Sequence, residues 1–307
     1  MGMLVAGQWQ HEDIRRTNAQ GEFVRERSPY RAWLGDSQHP AEAGRYHLFV
    51  NAGCPWAYRT LLYRALKGLD KLISISYTQP AMGSEGWTFG EQREPQLQAR
   101  HMHDVYRAAD GQFTGRVTVP VLWDKQARTI VNNESADIIR MFNTAFDSLP
   151  GVVEVDYYPA EHAAEIDRLN ERIYSDVNNG VYRCGFARSQ QAYDTAFDTL
   201  FRCLDELDER LAEQRFLCGE RITEADWRLF ATLVRFDAAY YGQFRCNRNR
   251  LSDFPNLWPY TRDLYQQPRV AATVDLVAIK GIYYGGRPPH IIPKGPQLDF
   301  AQPHGRD

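Results

Sequence analysis

Asn51-Ala52-Gly53-Cys54-Pro55-Trp56-Ala57 sets a single thiol between a predicted strand and a predicted helix. Upstream, Tyr46-His47-Leu48-Phe49-Val50 is a short apolar and aromatic run that reads as a buried strand. Downstream, Pro55 has the fixed φ suited to a first helical position, where no backbone N–H is needed. Leu61, Leu62, Ala65, Leu66 and Leu69 then recur at helical spacing. Cys54 therefore falls at a helix N-terminus, where N–H groups and the macrodipole favour an anion. A thiol so placed is expected to react as thiolate. A buried packing cysteine is the other reading, because Cys is among the most buried residue types.

Outward from this turn, the helix covers about 55–68 and a second strand follows at Leu72-Ile73-Ser74-Ile75-Ser76-Tyr77. Residues 79–115 are rich in Gly, Gln, Arg and His, lack strong periodicity and exceed an ordinary connection, which marks a functional or flexible insertion. Val117-Thr118-Val119-Pro120-Val121-Leu122-Trp123, a turn at Asp124-Lys125-Gln126-Ala127 and Thr129-Ile130-Val131 form a predicted hairpin. A proline in a strand requires an edge, a bulge or a cis turn. A helix starts near Glu134 and runs through Ile138, Ile139 and Phe142. The order is β-α-β, insertion, β-β-α.

Past residue 150 the periodicity is helical: 160–178, 189–214, about 256–266 and 268–279. Thr223-Glu224-Ala225-Asp226 reads as a capping box with Asp in the acidic position. The predicted organisation is an irregular N-terminal extension (1–45), an α/β domain (46–150), an all-helical domain (151–285) and a tail (286–307).

A chain of 307 residues is too long for one small core, so two domains are the expectation. The net charge of −3 gives no argument for a nucleic-acid partner or an anionic membrane surface. No apolar run approaches the roughly 18 residues of a membrane span. The N-terminus lacks a basic segment and a long apolar stretch, so no signal peptide is read there. Five cysteines, without Cys-x-x-Cys, indicate neither a zinc ribbon nor a two-thiol redox motif. His47, His101 and His103 show no metal-ligand company, and no metal is expected. A cytoplasmic protein follows.

Cys54-Pro55-Trp56-Ala57, Thr118-Val119-Pro120-Val121-Leu122 and Asn133-Glu134-Ser135, ahead of an all-helical half, resemble the cytosolic glutathione transferases. That resemblance implies a thioredoxin-like α/β N-terminal domain plus an all-α C-terminal domain. Gly86-Trp87, Asn178-Asn179-Gly180-Val181-Tyr182, Ala225-Asp226-Trp227-Arg228-Leu229 and Pro303-His304-Gly305-Arg306-Asp307 are further similar to the Xi class, the glutathionyl-hydroquinone reductases. The resemblance runs from about residue 20 to the C-terminus.

It implies glutathione as cosubstrate, a glutathionylated aromatic quinol as substrate and a homodimer. By resemblance Val119 and Pro120 form a backbone clamp for the glutathione cysteine, and Glu134 and Ser135 hold the γ-glutamyl group. A helix start suits a carboxylate and Glu134 suits an ammonium, although acidic and small polar residues also favour a first turn for its own sake. Trp87 and Arg116 are implied glutathione contacts; a Trp that merely fastens the insertion and a solvated Arg are the bland readings. Tyr182, Tyr240 and Tyr283 are implied to converge on the quinol, with either member of Tyr240-Tyr241 and Tyr283-Tyr284 able to point inward. Trp56 and Arg59 flank the helix start without an assigned role. Three alternatives share these residues: an omega-like thioltransferase or dehydroascorbate reductase, a transferase that conjugates electrophiles, and a non-catalytic binding module of the same fold.

Overall fold

The computed structural model describes residues 2–11, 17–286 and 290–306. Asp307 of the terminal motif, residues 287–289 of the predicted tail, and Met1 and residues 12–16 of the predicted extension lie outside the described residues. The chain divides into two compact units. The first draws its described residues from 1–15, 26–155 and 277–292, the second from 16–25, 156–276 and 293–306.

In the first unit the N-terminal segment, expected to be irregular, begins with two short strands, β1 (Met3–Val5) and β2 (Gln8–Gln10). At three residues each they are too short to show a periodicity of two. The central sheet is built on β3 (Tyr46–Val50), whose five residues are all buried. It pairs in parallel with β4 (Ser74–Tyr77), with His47 opposite Ser74. The helix α1 (Pro55–Leu66) crosses between them, Pro55 opening it and Gly68 ending it in the left-handed region at φ 70°. Lys67, fully buried at the end of α1, donates from Nζ to the Val155 carbonyl at 2.7 Å and pairs with Asp147 at 2.8 Å. Each fully buried Leu or Phe of this core is worth about 1.5–3 kcal/mol.

The predicted insertion contains a helix, α2 (Met102–Ala109), and a short strand, β5 (Gly115–Arg116), which pairs with β1. Met102, Val105 and Tyr106 are its buried face, an i, i+3, i+4 pattern too brief to stand out of a polar stretch. The Trp9 ring meets His103 at 4.9 Å, so the N-terminal strands pack on the insertion. β6 (Val121–Asp124) runs antiparallel to β3 and is followed by β7 (Thr129–Asn132), giving the order β4-β3-β6-β7. Pro120 lies just before β6 rather than within it, and the Val119–Pro120 bond is cis. The hairpin turn is organised by buried Asp124, which accepts from the Gln126 and Ala127 N–H groups and from Arg45. The helix α3 (Ser135–Thr144) then packs against α1.

The second unit is helical: α4 (Ala163–Arg172), continuing as a wider turn over Ile173–Asn178, α5 (Gly180–Phe186), α6 (Gln190–Glu213) and α7 (Glu224–Leu233). A second wide turn over Phe236–Tyr240, α8 (Tyr241–Gln243) and α9 (Leu257–Gln266) complete it. The capping box of α7 forms as expected, Asp226 accepting from the Thr223 N–H at 2.7 Å and the Leu217 N–H at 2.8 Å. The predicted helix at 268–279 is instead a short 3-10 turn at Ala271–Thr273 and then α10 (Leu276–Lys280), because Val274 takes an extended φ/ψ between them. Helical winding continues through Gly281–Gly285 as one wide turn. The described residues of 277–292 belong to the first unit. No helix among the described residues is long and apolar enough to cross a membrane.

Candidate active site

Cys54 is the N-cap of α1, with φ −74° and ψ 123°, and is 7 % exposed. Its conformation is set by Asn51, whose side-chain oxygen accepts the N–H groups of Gly53 at 2.9 Å and Cys54 at 3.1 Å. The Cys54 carbonyl accepts the Tyr58 N–H at 2.8 Å and starts the helix ladder. Gly53 is required by packing: a Cβ there would stand 2.8 Å from Ile282 Cγ2 and 2.9 Å from the Ala278 carbonyl carbon. The segment carrying Tyr283 thus lies directly on the thiol turn.

Val119 and Pro120 are both buried beside the start of β6. Glu134 caps α3, its carboxylate accepting the Ala136 N–H at 3.2 Å and the Ser28 hydroxyl at 3.0 Å. Ser135 is buried at the first helical position, and its hydroxyl accepts from Arg59 Nη1 at 3.4 Å. Arg59 itself is 2 % exposed with its guanidinium 4.8 Å from the Trp56 ring centre. The pair left without a role by the sequence therefore links the thiol helix to the Glu134–Ser135 helix start. Helical spacing puts both on α1, but no sequence signal gives the partner on α3.

Tyr106 also escaped sequence reasoning. Its hydroxyl donates to the Thr118 carbonyl at 3.1 Å and accepts from Asn133 Nδ2 at 2.9 Å. Burial raises the Tyr106 pKa, so the phenol stays neutral and can donate. One oxygen thereby joins the residue before Val119 to the residue before Glu134. Trp87 is buried in the insertion, its carbonyl accepting the Met102 N–H at 2.9 Å. Arg116 is half-buried in β5 opposite Met3.

The tyrosines are drawn from both units. Tyr283 belongs to the same unit as Cys54, whereas Tyr182 and Tyr240 belong to the second unit. In each doublet the buried member is the one named: Tyr240 is fully buried and Tyr283 is 6 % exposed, while Tyr241 and Tyr284 are half-buried. Within the second unit the Tyr182 and Tyr240 rings lie 6.1 Å apart and share Phe244, which stacks on Tyr240 at 5.5 Å. Arg25 places its guanidinium 5.1 Å from the Tyr182 ring centre while Nε donates to Asn179 Oδ1 at 3.0 Å. The other four cysteines are buried in the second unit; burial raises the Cys203 thiol to about 11, far from the thiolate range.

Family profiles for the glutathione S-transferase N-terminal and C-terminal domains match residues 53–145 and 190–263. The chain is 49% identical to the glutathionyl-hydroquinone reductase PcpF of Sphingobium chlorophenolicum, over 99% of this chain and 97% of that protein. It is 46% identical to the glutathionyl-hydroquinone reductase YqjG of Escherichia coli K12, over 100% of this chain and 99% of that protein. The glutathione-bound structure of YqjG superposes with a TM-score of 0.87 at 47% identity, covering 90% of this chain and 96% of that one. A Xi class transferase from Natrialba magadii superposes with a TM-score of 0.91 at 43% identity, covering 100% and 96%.

Proposed function

The chain belongs to the glutathione transferase family, in its Xi class, and on that footing we propose that it reduces glutathionyl-hydroquinones through Cys54. The observation that carries the mechanism is a thiol at the N-cap of α1 in a unit whose sequence holds no second cysteine. That unit supplies no resolving thiol of its own, and glutathione is the thiol the family binds.

In the first step the Cys54 thiolate attacks the sulfur of the glutathionyl-hydroquinone. The S–S bond to glutathione forms as the bond from sulfur to the aromatic carbon breaks. The ring carbon takes the bonding pair and a proton, leaving free hydroquinone, so the ring is reduced and the sulfurs are oxidised. In the second step a glutathione thiolate attacks the mixed disulfide, releasing glutathione disulfide and Cys54 thiolate.

Val119 and Pro120 supply the backbone that pairs with the glutathione cysteine, and Glu134 and Ser135 take the γ-glutamyl end at the α3 start. Trp87 and Arg116 flank glutathione from the insertion and β5. Tyr182, Tyr240 and Tyr283 act as neutral hydrogen-bond donors to the quinol oxygens, offsetting charge that develops as the carbon leaves sulfur. The same membership supports a cytoplasmic homodimer, which light scattering on the purified protein tests.

The decisive experiment mixes the protein with a glutathionyl-hydroquinone in the absence of free glutathione. One equivalent of hydroquinone and a glutathione adduct on Cys54 are expected. Release of hydroquinone by Cys54→Ser at the wild-type rate would refute the mechanism.

A further inference from the structure

Asn51 is 1 % exposed and three residues ahead of the thiol. Its carboxamide oxygen accepts two consecutive N–H groups, those of Gly53 and Cys54, which folds residues 51–54 into an Asx-type turn. The Cys54 N–H also reaches the Asn51 carbonyl at 3.1 Å. The carboxamide nitrogen faces the other way, donating to Thr78 Oγ1 at 3.0 Å and to the Gln79 carbonyl at 2.8 Å. The Gln79 N–H in turn donates to the Thr88 carbonyl at 2.7 Å, one residue after Trp87. One side chain thus grips the thiol turn with its acceptor and the root of the insertion with its donor. Asp, with no N–H, keeps only the first grip, and Ala keeps neither.

We propose that Asn51 is a positioning residue for the reductase reaction: it aims Cys54 and locks the thiol turn to the insertion that carries Trp87. The proposal rests on Cys54 being the nucleophile. The attacking sulfur must approach in line with the bond being broken, and a displacement of 1 Å costs on the order of 100-fold in rate.

The test compares Asn51→Ala, Asn51→Asp, Thr78→Val and Cys54→Ser in the full chain. Its readouts are single-turnover hydroquinone release, the KM for glutathione and the pH profile of Cys54 alkylation by iodoacetamide. Asn51→Ala is expected to slow single turnover by on the order of 100-fold, with the KM for glutathione within about 2-fold. Asn51→Asp sets a negative charge against the Cys54 amide and is expected to move the alkylation profile to higher pH by about one unit. Thr78→Val loses only the far side of the grip and is expected to slow single turnover by about 3- to 10-fold, a loss of roughly one neutral hydrogen bond. Single turnover at the wild-type rate in Asn51→Ala overturns the proposal, as does an unmoved alkylation profile in Asn51→Asp. If the Asn51 variants do not fold, Thr78→Val at the wild-type rate overturns it instead. An active Cys54→Ser removes the nucleophile assignment, whereas an inactive Cys54→Ser beside an unimpaired Asn51→Ala refutes the positioning role alone.

Discussion

Tyr106→Phe removes one oxygen from a fully buried ring and changes no packing volume, so its effect isolates the hydroxyl. That hydroxyl is the shared partner of Thr118 and Asn133, at 3.1 and 2.9 Å. Asn133 is 4 % exposed, and water does not replace the acceptor its amide loses. Stranding a buried donor costs roughly 1–3 kcal/mol, and the lost donation to Thr118 keeps the figure near the middle, about 2 kcal/mol. For a unit of this size each kcal/mol lowers Tm by roughly 2–4 °C, so a drop of about 4–8 °C is expected. The two freed loops carry Val119 and the Glu134 helix start, proposed above to hold glutathione, so on that proposal glutathione affinity is expected to fall as well. If half the cost falls on the bound geometry, about 1 kcal/mol weakens glutathione about 5-fold. Differential scanning calorimetry and titration calorimetry with glutathione measure the two effects on one sample. A Tm within 1 °C of wild type together with unchanged glutathione affinity would refute the bracing role of Tyr106.

Three further outcomes follow from the same geometry. Gly53→Ala drives a methyl into the Ala278 carbonyl and Ile282, and such overpacking costs typically 1–3 kcal/mol; limited proteolysis should show the segment 276–285 released, and wild-type protection there would contradict the packing. Arg25→Met removes the cation over the Tyr182 ring, worth about 0.5–2 kcal/mol, so single-turnover hydroquinone release should fall about 2- to 30-fold. The effect should vanish in a Tyr182→Phe background, and an additive loss would disconnect Arg25 from the phenol. His47 is held neutral by burial, then by Lys125 and Arg64, which lower its pKa from 6.5 to about 4. The unfolded chain therefore binds the extra proton between those values, and stability should rise from pH 4 to about 6.5 and be flat above. Urea unfolding at pH 5 and pH 7 checks this: His47→Gln should lose part of the pH 5 deficit, and an identical deficit in both proteins would count against it.

The central sheet was legible because β3 is buried on both faces and so reads as an unbroken apolar run. The capping box of α7 was equally plain, since both its hydrogen-bonding groups lie within four residues. The α2 helix was not, because a single turn and a half of buried residues leaves too little periodicity among polar neighbours. β1 was missed for a related reason: it is three residues long, and neither its hairpin with β2 nor its pairing with β5, more than a hundred residues away, leaves a pattern within it. The role of Arg59 needed the structure too, for its partner Ser135 sits on another helix.

What the sequence alone determined is the chemistry carried locally: a thiol after a strand, a proline opening a helix, a polar helix start at Glu134 and the family those motifs resemble. Each depends on neighbours a few residues apart, and their propensities and spacing are written directly in the chain. What only the tertiary structure decided is how those pieces are held. Asn51 reaches Gln79, Tyr106 joins Thr118 to Asn133, and Gly53 makes room for Ala278, each through contacts between segments distant in sequence. Such contacts arise when buried polar groups must find partners wherever the packed chain brings them, and no local pattern announces which partner that will be.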